Sequence, residues 1–226
     1  MTLAIIGPFF GRHENSLPLL KRLYVDSSLT PDEAWLMGET QEDVDVLEGA
    51  LSALIEHDML TSRPAGLYIE HVPTPRTATG KPLVLPYANQ INYALNKTGC
   101  DLIAYLDNGS MPWITKYQVM ADALGEHPEW GAVYCAQKRT GHAPMVAPAD
   151  VEVPDAFCAV NFTQVMHRWT PDRWPTDLKL GDPDLADAYF WRELHKTLGS
   201  FWPVGGDEIL DEHDMPSPAA LGMTKR

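Results

Sequence analysis

Asp107 is the residue whose setting points most directly to chemistry. It follows the mostly apolar run Leu102-Ile103-Ala104-Tyr105-Leu106 and is followed at once by Asn108-Gly109-Ser110 and Pro112. A run of this kind stopping at a turn reads as a buried strand, and such strands belong to parallel sheets covered on both faces. Open α/β sheets bind ligands in the crevice beyond the carboxyl ends of their strands, where Asp107 then lies. The alternative is a turn cap, with the carboxylate accepting from amides of its own turn. Other polar residues stand at comparable junctions: Glu39 after Gly38, Asp182 after Gly181 and ahead of a helix, and Arg76 and Lys81 in a loop rich in Pro and Gly. For Asp182 the alternative is a helix N-cap, with Asp184 as a near substitute. His213 stands among Asp207, Glu208, Asp211, Glu212 and Asp214.

The elements that must position these residues alternate along the chain. Thr2 to Ile6 reads as a first strand, broken by Gly7-Pro8 into a loop through His13. Asn15 or Ser16 can cap a helix through Leu23, with Pro18 in its first turn. Glu33 to Met37 is a second strand ending at Gly38-Glu39. Thr40 and Asp43 then fit a capping box, and Val44, Leu47, Leu51, Leu54 and Ile55 recur at helical spacing as far as about Leu60. Gly66 to Val72 is a third strand, Pro73 to Pro82 a surface loop, and Tyr87 to Asn96 a helix leading to the Asp107 strand. This alternation implies a parallel sheet wound with right-handed crossovers. Farther on, Trp113 to Leu124 reads as a helix, Gly131 to Ala136 and Asn161 to Arg168 as strands, and Asp184 to Leu198 as a helix stopped by Gly199. The residues after Gly205-Gly206 read as an acidic tail. His167 is expected to be a satisfied structural histidine, and Trp169, Trp174, Trp191 and Trp202 mostly core packing. The fold class expected is α/β, a single Rossmann-like domain over residues 1–226 with a mostly parallel central sheet flanked by helices.

The totals narrow the function classes. With 226 residues the chain can bury one α/β core. Its 17 Lys and Arg against 31 Asp and Glu give a net charge of −14, which repels phosphate backbones and argues against nonspecific nucleic-acid binding. Cys100, Cys135 and Cys158 are odd in number and widely spaced, so neither a disulfide framework nor a CxxC metal site is expected, in keeping with a reducing cytoplasm. The short apolar run Leu3 to Ile6 lacks the features of a signal peptide, and no run approaches the roughly 18 apolar residues of a membrane span.

Taken in order, the loop at Pro8 to Arg12, the turn at Gly38-Glu39, Asp107 and Gly181-Asp182 resemble the family 2 glycosyltransferases, which have the A-type nucleotide-sugar-binding fold. The family's strand of the form apolar run, Leu-Asp-Asp-x-Asp, then Pro is matched by Leu106-Asp107-Asn108-Gly109-Ser110-Met111-Pro112. The Arg-Asn pair of the preceding helix is matched by Ile91-Asn92, which keeps only the Asn. The acidic pair that opens the helix of the catalytic base is matched by Gly181-Asp182. The second carboxylate of the metal motif is replaced, with Asn108-Gly109-Ser110 in its place.

The resemblance implies transfer of a sugar from a nucleotide-diphospho sugar, with a UDP-sugar as the first candidate, to an acceptor hydroxyl with inversion. Asp107 and His213 would hold Mn or Mg, and Asp182 would be the general base. Glu39 would hydrogen-bond the base or ribose, Pro8, Phe9 and Arg12 would line the nucleotide cleft together with Asn108, and Arg76 or Lys81 would meet the pyrophosphate. Residues 1–112 would form the nucleotide-sugar half, and 113–226 the acceptor half and tail. A small molecule, a protein or a modified base in DNA would each be compatible as acceptor. A degenerate nucleotide- or glycan-binding module is the alternative. A nucleotidyltransferase has less support, because no Gly-rich, Lys-bearing loop follows the first strand.

Overall fold

Side-chain alternation along β1 (Leu3–Phe9), all of it buried, divides the molecule into layers. Leu3, Ile5 and Phe9 enter one apolar cluster, while Ala4 and Ile6 enter another on the opposite face. That is the period-2 signature of a central strand covered on both sides. The computed structural model describes residues 1–139, 160–176 and 183–213. On the Leu3 side lie α1 (Ser16–Lys21), α2 (Gln41–Glu56) and α4 (Lys116–Glu126), which contribute Leu19 and Leu20, Leu47, Leu51 and Leu54, and Met120 and Leu124. On the Ala4 side lie α3 (Pro86–Leu95) and α5 (Pro183–Leu198), with Ala88, Ile91 and Ala94 from the first and Phe190, Trp191 and Leu194 from the second.

The remaining strands are β2 (Glu33–Gly38), β3 (Leu67–His71), β4 (Leu102–Tyr105), β5 (Ser110–Pro112), β6 (Ala132–Arg139), β7 (Val165–Arg168) and β8 (Phe201–His213). They form one sheet in the order β3-β2-β1-β4-β7-β6-β8-β5. The first four run parallel, with Ile6 in register with Trp35 on one side and Tyr105 on the other. Strand β7 enters antiparallel between β4 and β6, β8 lies parallel to β6, and β5 runs antiparallel to β8. The expected mixed α/β architecture with a mostly parallel sheet is therefore present. Among the described residues no helix is long and apolar enough to cross a membrane.

Five local expectations are corrected. The first strand continues through Gly7-Pro8 to Phe9. Pairing with β4 ends at Ile6, so past it the missing Pro8 amide removes no bond on that side. Asn15 makes no side-chain cap at α1; its amide nitrogen donates instead to the Asn108 carbonyl. Helix α2 begins at the expected capping box but stops at Glu56, because Asp58 takes a φ of 56° and the amides of Met59 and Leu60 fold back on the Leu54 carbonyl. The largest departure is the acidic tail, whose stretch as far as His213 is a strand paired on both sides. Three residues after Asp107, where only a turn was expected, form β5 against it.

Candidate functional site

The parallel order of β1, β2, β3 and β4 brings their carboxyl ends to one edge. After Phe9 the chain turns at Gly11, whose φ of 64° strains any residue with a side chain. Strand β4 leaves the sheet with the Leu106 amide still bonded to the Ile6 carbonyl, and Asp107 follows. Its Oδ1 accepts from the Gly109 amide at 2.8 Å, so part of this carboxylate does serve its own turn. Asn108, only 6% exposed, donates to the Phe10 carbonyl at 3.2 Å and ties the β1 loop to the Asp107 turn. Pro8 and Phe9 are buried, Phe9 within the α2-side core, and the neighbouring Phe10 reaches the surface at this edge.

At the ends of β2 and β3, Glu39 is already surrounded by its own chain. Its Oε2 accepts from the Thr74 amide and hydroxyl at 3.1 and 2.6 Å. Its Oε1 accepts from the Arg76 guanidinium at 2.7 Å. Arg76 also donates to the Gly80 carbonyl at 3.1 Å, so both ends of the guanidinium are fixed while the side chain stays 45% exposed. Lys81 is exposed in the same loop, its backbone paired with Thr77. Glu39 and Arg76 thus meet as an ion pair, and the carboxylate's direct role is to hold the arginine.

A cleft of about 290 Å³ opens beside this pair, lined by Phe10, Gly11, His13, Glu39, Thr40, Glu42 and Asp43. Asp43 builds it. One carboxylate oxygen completes the capping box with the Thr40 amide and hydroxyl at 2.9 and 2.8 Å. The other accepts from the Gly11 amide at 3.0 Å and from His13 Nε2 at 2.9 Å. Burial alone would push the Asp43 carboxyl up, but the donors from His13, Thr40 and Gly11 hold it below the ordinary carboxylate range. The capping box was legible as Thr40 and Asp43; nothing in the sequence spacing connected Asp43 to Gly11 and His13.

The second half supplies the far wall. Register places His213 opposite Ser110, three positions beyond Asp107, and opposite Arg139 on the other side. The side chain of His213 and the whole of Asp182 lie outside the described residues. Beneath β5 and β8, Lys116 and Asp211 form a buried ion pair at 2.9 Å. Asn92 exchanges bonds with Trp174, accepting from its amide at 2.8 Å and donating to its carbonyl at 2.9 Å, and so clamps α3 to the 160–176 segment. His167 is structural, as expected. Its Nδ1 donates to the Arg168 carbonyl at 2.7 Å, so its Nε2 accepts from the Tyr105 hydroxyl at 2.8 Å.

Among the described side chains, no group of three or more His, Cys, Asp and Glu is arranged to hold a metal ion. Of the two residues expected to hold a cation, Asp107 stands at this edge with a hard carboxylate of the kind Mg and Mn take, and the backbone of His213 pairs with Ser110 on β5. A larger depression of about 540 Å³ lies at the opposite edge, between Thr98 to Asp101 and Arg168-Trp169. There Arg168 is occupied by the Leu124 and Trp130 carbonyls, at 2.6 and 2.9 Å, and closes the end of α4.

No protein-family model and no curated protein matches the sequence. Solved structures do match the fold. A fragment of TarS from S. aureus in complex with UDP-GlcNAc superposes with a TM-score of 0.69 at 13% identity, covering 100% of this chain and 62% of that one. The mannosyltransferase PcManGT from Pyrobaculum calidifontis, in complex with GDP-Man and Mn2+, gives 0.61 at 13% identity over 97% of this chain and 59% of its own. Glucosyl-3-phosphoglycerate synthase from Mycobacterium tuberculosis, with Mn2+, uridine-diphosphate and glucosyl-3-phosphoglycerate, gives 0.60 at 12% identity over 98% and 75%. The chain thus spans about 62% of the length of the TarS fragment. Identity this low speaks for architecture alone, and the architecture is that of the A-type glycosyltransferases.

Proposed function

We propose that the chain transfers a hexosyl group from a nucleotide-diphospho sugar, with UDP as the first candidate, to an acceptor hydroxyl with inversion at the anomeric carbon. The observation that carries this reading is the gathering of Asp107, the Phe10 to His13 loop and the Glu39–Arg76 pair at one carboxyl edge of four parallel strands. Open α/β sheets bind their ligands there. Arg76, held by Glu39 and half exposed, is suited to the diphosphate, with Lys81 beside it. Asp107 and His213 are the proposed ligands of Mn or Mg, a cation that would offset the charge building on the diphosphate as the sugar leaves. Asp182, next to the start of α5, is the proposed base for the acceptor hydroxyl. The free, buried thiols of Cys100 and Cys135 agree with a cytoplasmic setting.

A second reading, a nucleotide-binding module without transfer, is favoured by one observation. The position of the family's second acidic residue holds Asn108, which is buried and bonded to Phe10. Thermal-shift titration with UDP-, GDP- and TDP-sugars, each with Mn or Mg, tests nucleotide binding, and the expected result is stabilisation by at least one of them. Release of UDP from a UDP-sugar, lost in Asp182→Asn, would separate the transferase from the module. No stabilisation by any nucleotide would remove both.

A further inference from the structure

We propose that His13 selects the nucleobase: its Nδ1 accepts a ring N–H on the Watson–Crick edge of the base, the group that uracil and guanine carry and cytosine and adenine lack. The inference rests on the reading of this edge as a nucleotide-sugar site and adds which base it admits and by which atom.

Most polar side-chain atoms that line the 290 Å³ cleft already have partners. Both Asp43 oxygens are taken, by Gly11, His13 and Thr40. Both Glu39 oxygens are taken, by Thr74 and Arg76. The Thr40 hydroxyl donates to Asp43 and accepts from its amide. What the lining side chains still offer is His13 Nδ1 and, 3.9 Å from it, the Glu42 carboxylate, whose side chain is 78% exposed. An ionised Asp43 accepts only, so His13 Nε2 must carry its proton, and in the neutral ring Nδ1 is then a lone pair. The cleft therefore presents acceptors and asks for a donor. Its volume, at the small end for ligand pockets (~300–1,000 Å³), suits one ring rather than a whole donor sugar nucleotide. Phe10, 37% exposed, adds an aromatic side chain to the same lining. Asp43 is the positioning residue of the set, since one carboxylate fixes the Gly11 turn, the start of α2 and the imidazole's tautomer.

The test is isothermal titration of the full chain with UDP and CDP in the presence of Mn at pH 8. UDP offers N3–H where CDP has a bare ring nitrogen, so the wild type is expected to prefer UDP by about tenfold. His13→Ala is expected to weaken UDP by about tenfold, leave CDP unchanged and bring the two within about twofold. His13→Gln, whose side-chain oxygen also accepts, is expected to restore part of the preference, which a general loss of structure would not. An unchanged UDP-to-CDP ratio in His13→Ala overturns the base-reading role while leaving the nucleotide site standing. CDP or ADP binding the wild type more tightly than UDP and GDP also overturns it. If none of the four binds, the proposed function fails, and this inference with it.

Discussion

Lys116 Nζ lies 2.9 Å from Asp211 Oδ1, with the two side chains 1% and 0% exposed. Lys116 also donates to the Thr163 carbonyl at 2.7 Å, and the second Asp211 oxygen accepts from Gln137 at 2.7 Å and from the Thr163 hydroxyl at 2.9 Å. Burial works against the Lys116 charge, but the attraction and hydrogen bond of Asp211, together with Tyr117 and Cys135, outweigh it, and the ammonium's pKa is raised. The network joins the start of α4 to β6, β8 and the turn before β7. Removing one partner strands the other charge, so Asp211→Asn is expected to cost about 3–5 kcal/mol in urea unfolding. The double change Lys116→Met with Asp211→Leu should recover most of that. A single variant as stable as the wild type would show that the pair is not closed in solution.

His167 gives stability a pH dependence. Burial drives its pKa from 6.5 down to about 4, against the smaller opposing pull of the Arg168 carbonyl and Asp172. The folded ring stays neutral while the unfolded one takes up a proton as pH falls. Stability is thus fully present above pH 6.5 and lost on the way down to pH 4, by about 3 kcal/mol. Thermal melts at pH 7.5, 5.5 and 4.5, compared with those of His167→Gln, read this directly: the variant should lose less between the first and the last. A parallel decline in the two proteins would assign the acid sensitivity to other groups.

The Glu39–Arg76 pair separates binding from stability. Its arginine is 45% exposed, so breaking it should change unfolding free energy by less than about 1 kcal/mol. Its expected role lies in the donor's diphosphate. Arg76→Ala should raise KM for the nucleotide sugar about tenfold, and Glu39→Gln, which leaves the guanidinium in place but less firmly held, by a smaller factor. Equal KM values in Arg76→Ala and the wild type would remove Arg76 from the site.

Asp182→Asn is expected to lower kcat by about 10²–10⁴ with little change in UDP affinity, as for loss of a general base. Steady-state rates set beside UDP titration distinguish this from a binding defect. Comparable kcat values would move the role to another residue, with Asp184 next in line.

The parallel half was legible because local signals agreed there. The apolar run into Asp107, the Thr40–Asp43 capping box and the Pro-rich loop each fixed an element without help from distant residues. In the second half α4, β6, β7 and α5 stood out by similar signals, but β8 did not, because it carries Asp211 and Glu212 as well as Gly205-Gly206, a composition that reads as solvated tail. Only when Lys116 and Gln137 come from other elements to meet Asp211 does that sequence become a strand. The site shows the same division. Glu39, Arg76 and Asp107 stood out at strand ends or in a loop, whereas His13 depended on the second oxygen of a capping carboxylate, a contact 30 residues away in sequence.

Strand β5 has β8 as its sheet partner, and β8 is the last strand described. During synthesis, therefore, the turn that presents Asp107 emerges about a hundred residues before the segment that steadies it. A nascent chain released before residue 201 would carry the Asp107 turn yet lack the ladder behind it. The Asp107 turn would then gain its backing ladder only after the last described strand has been made.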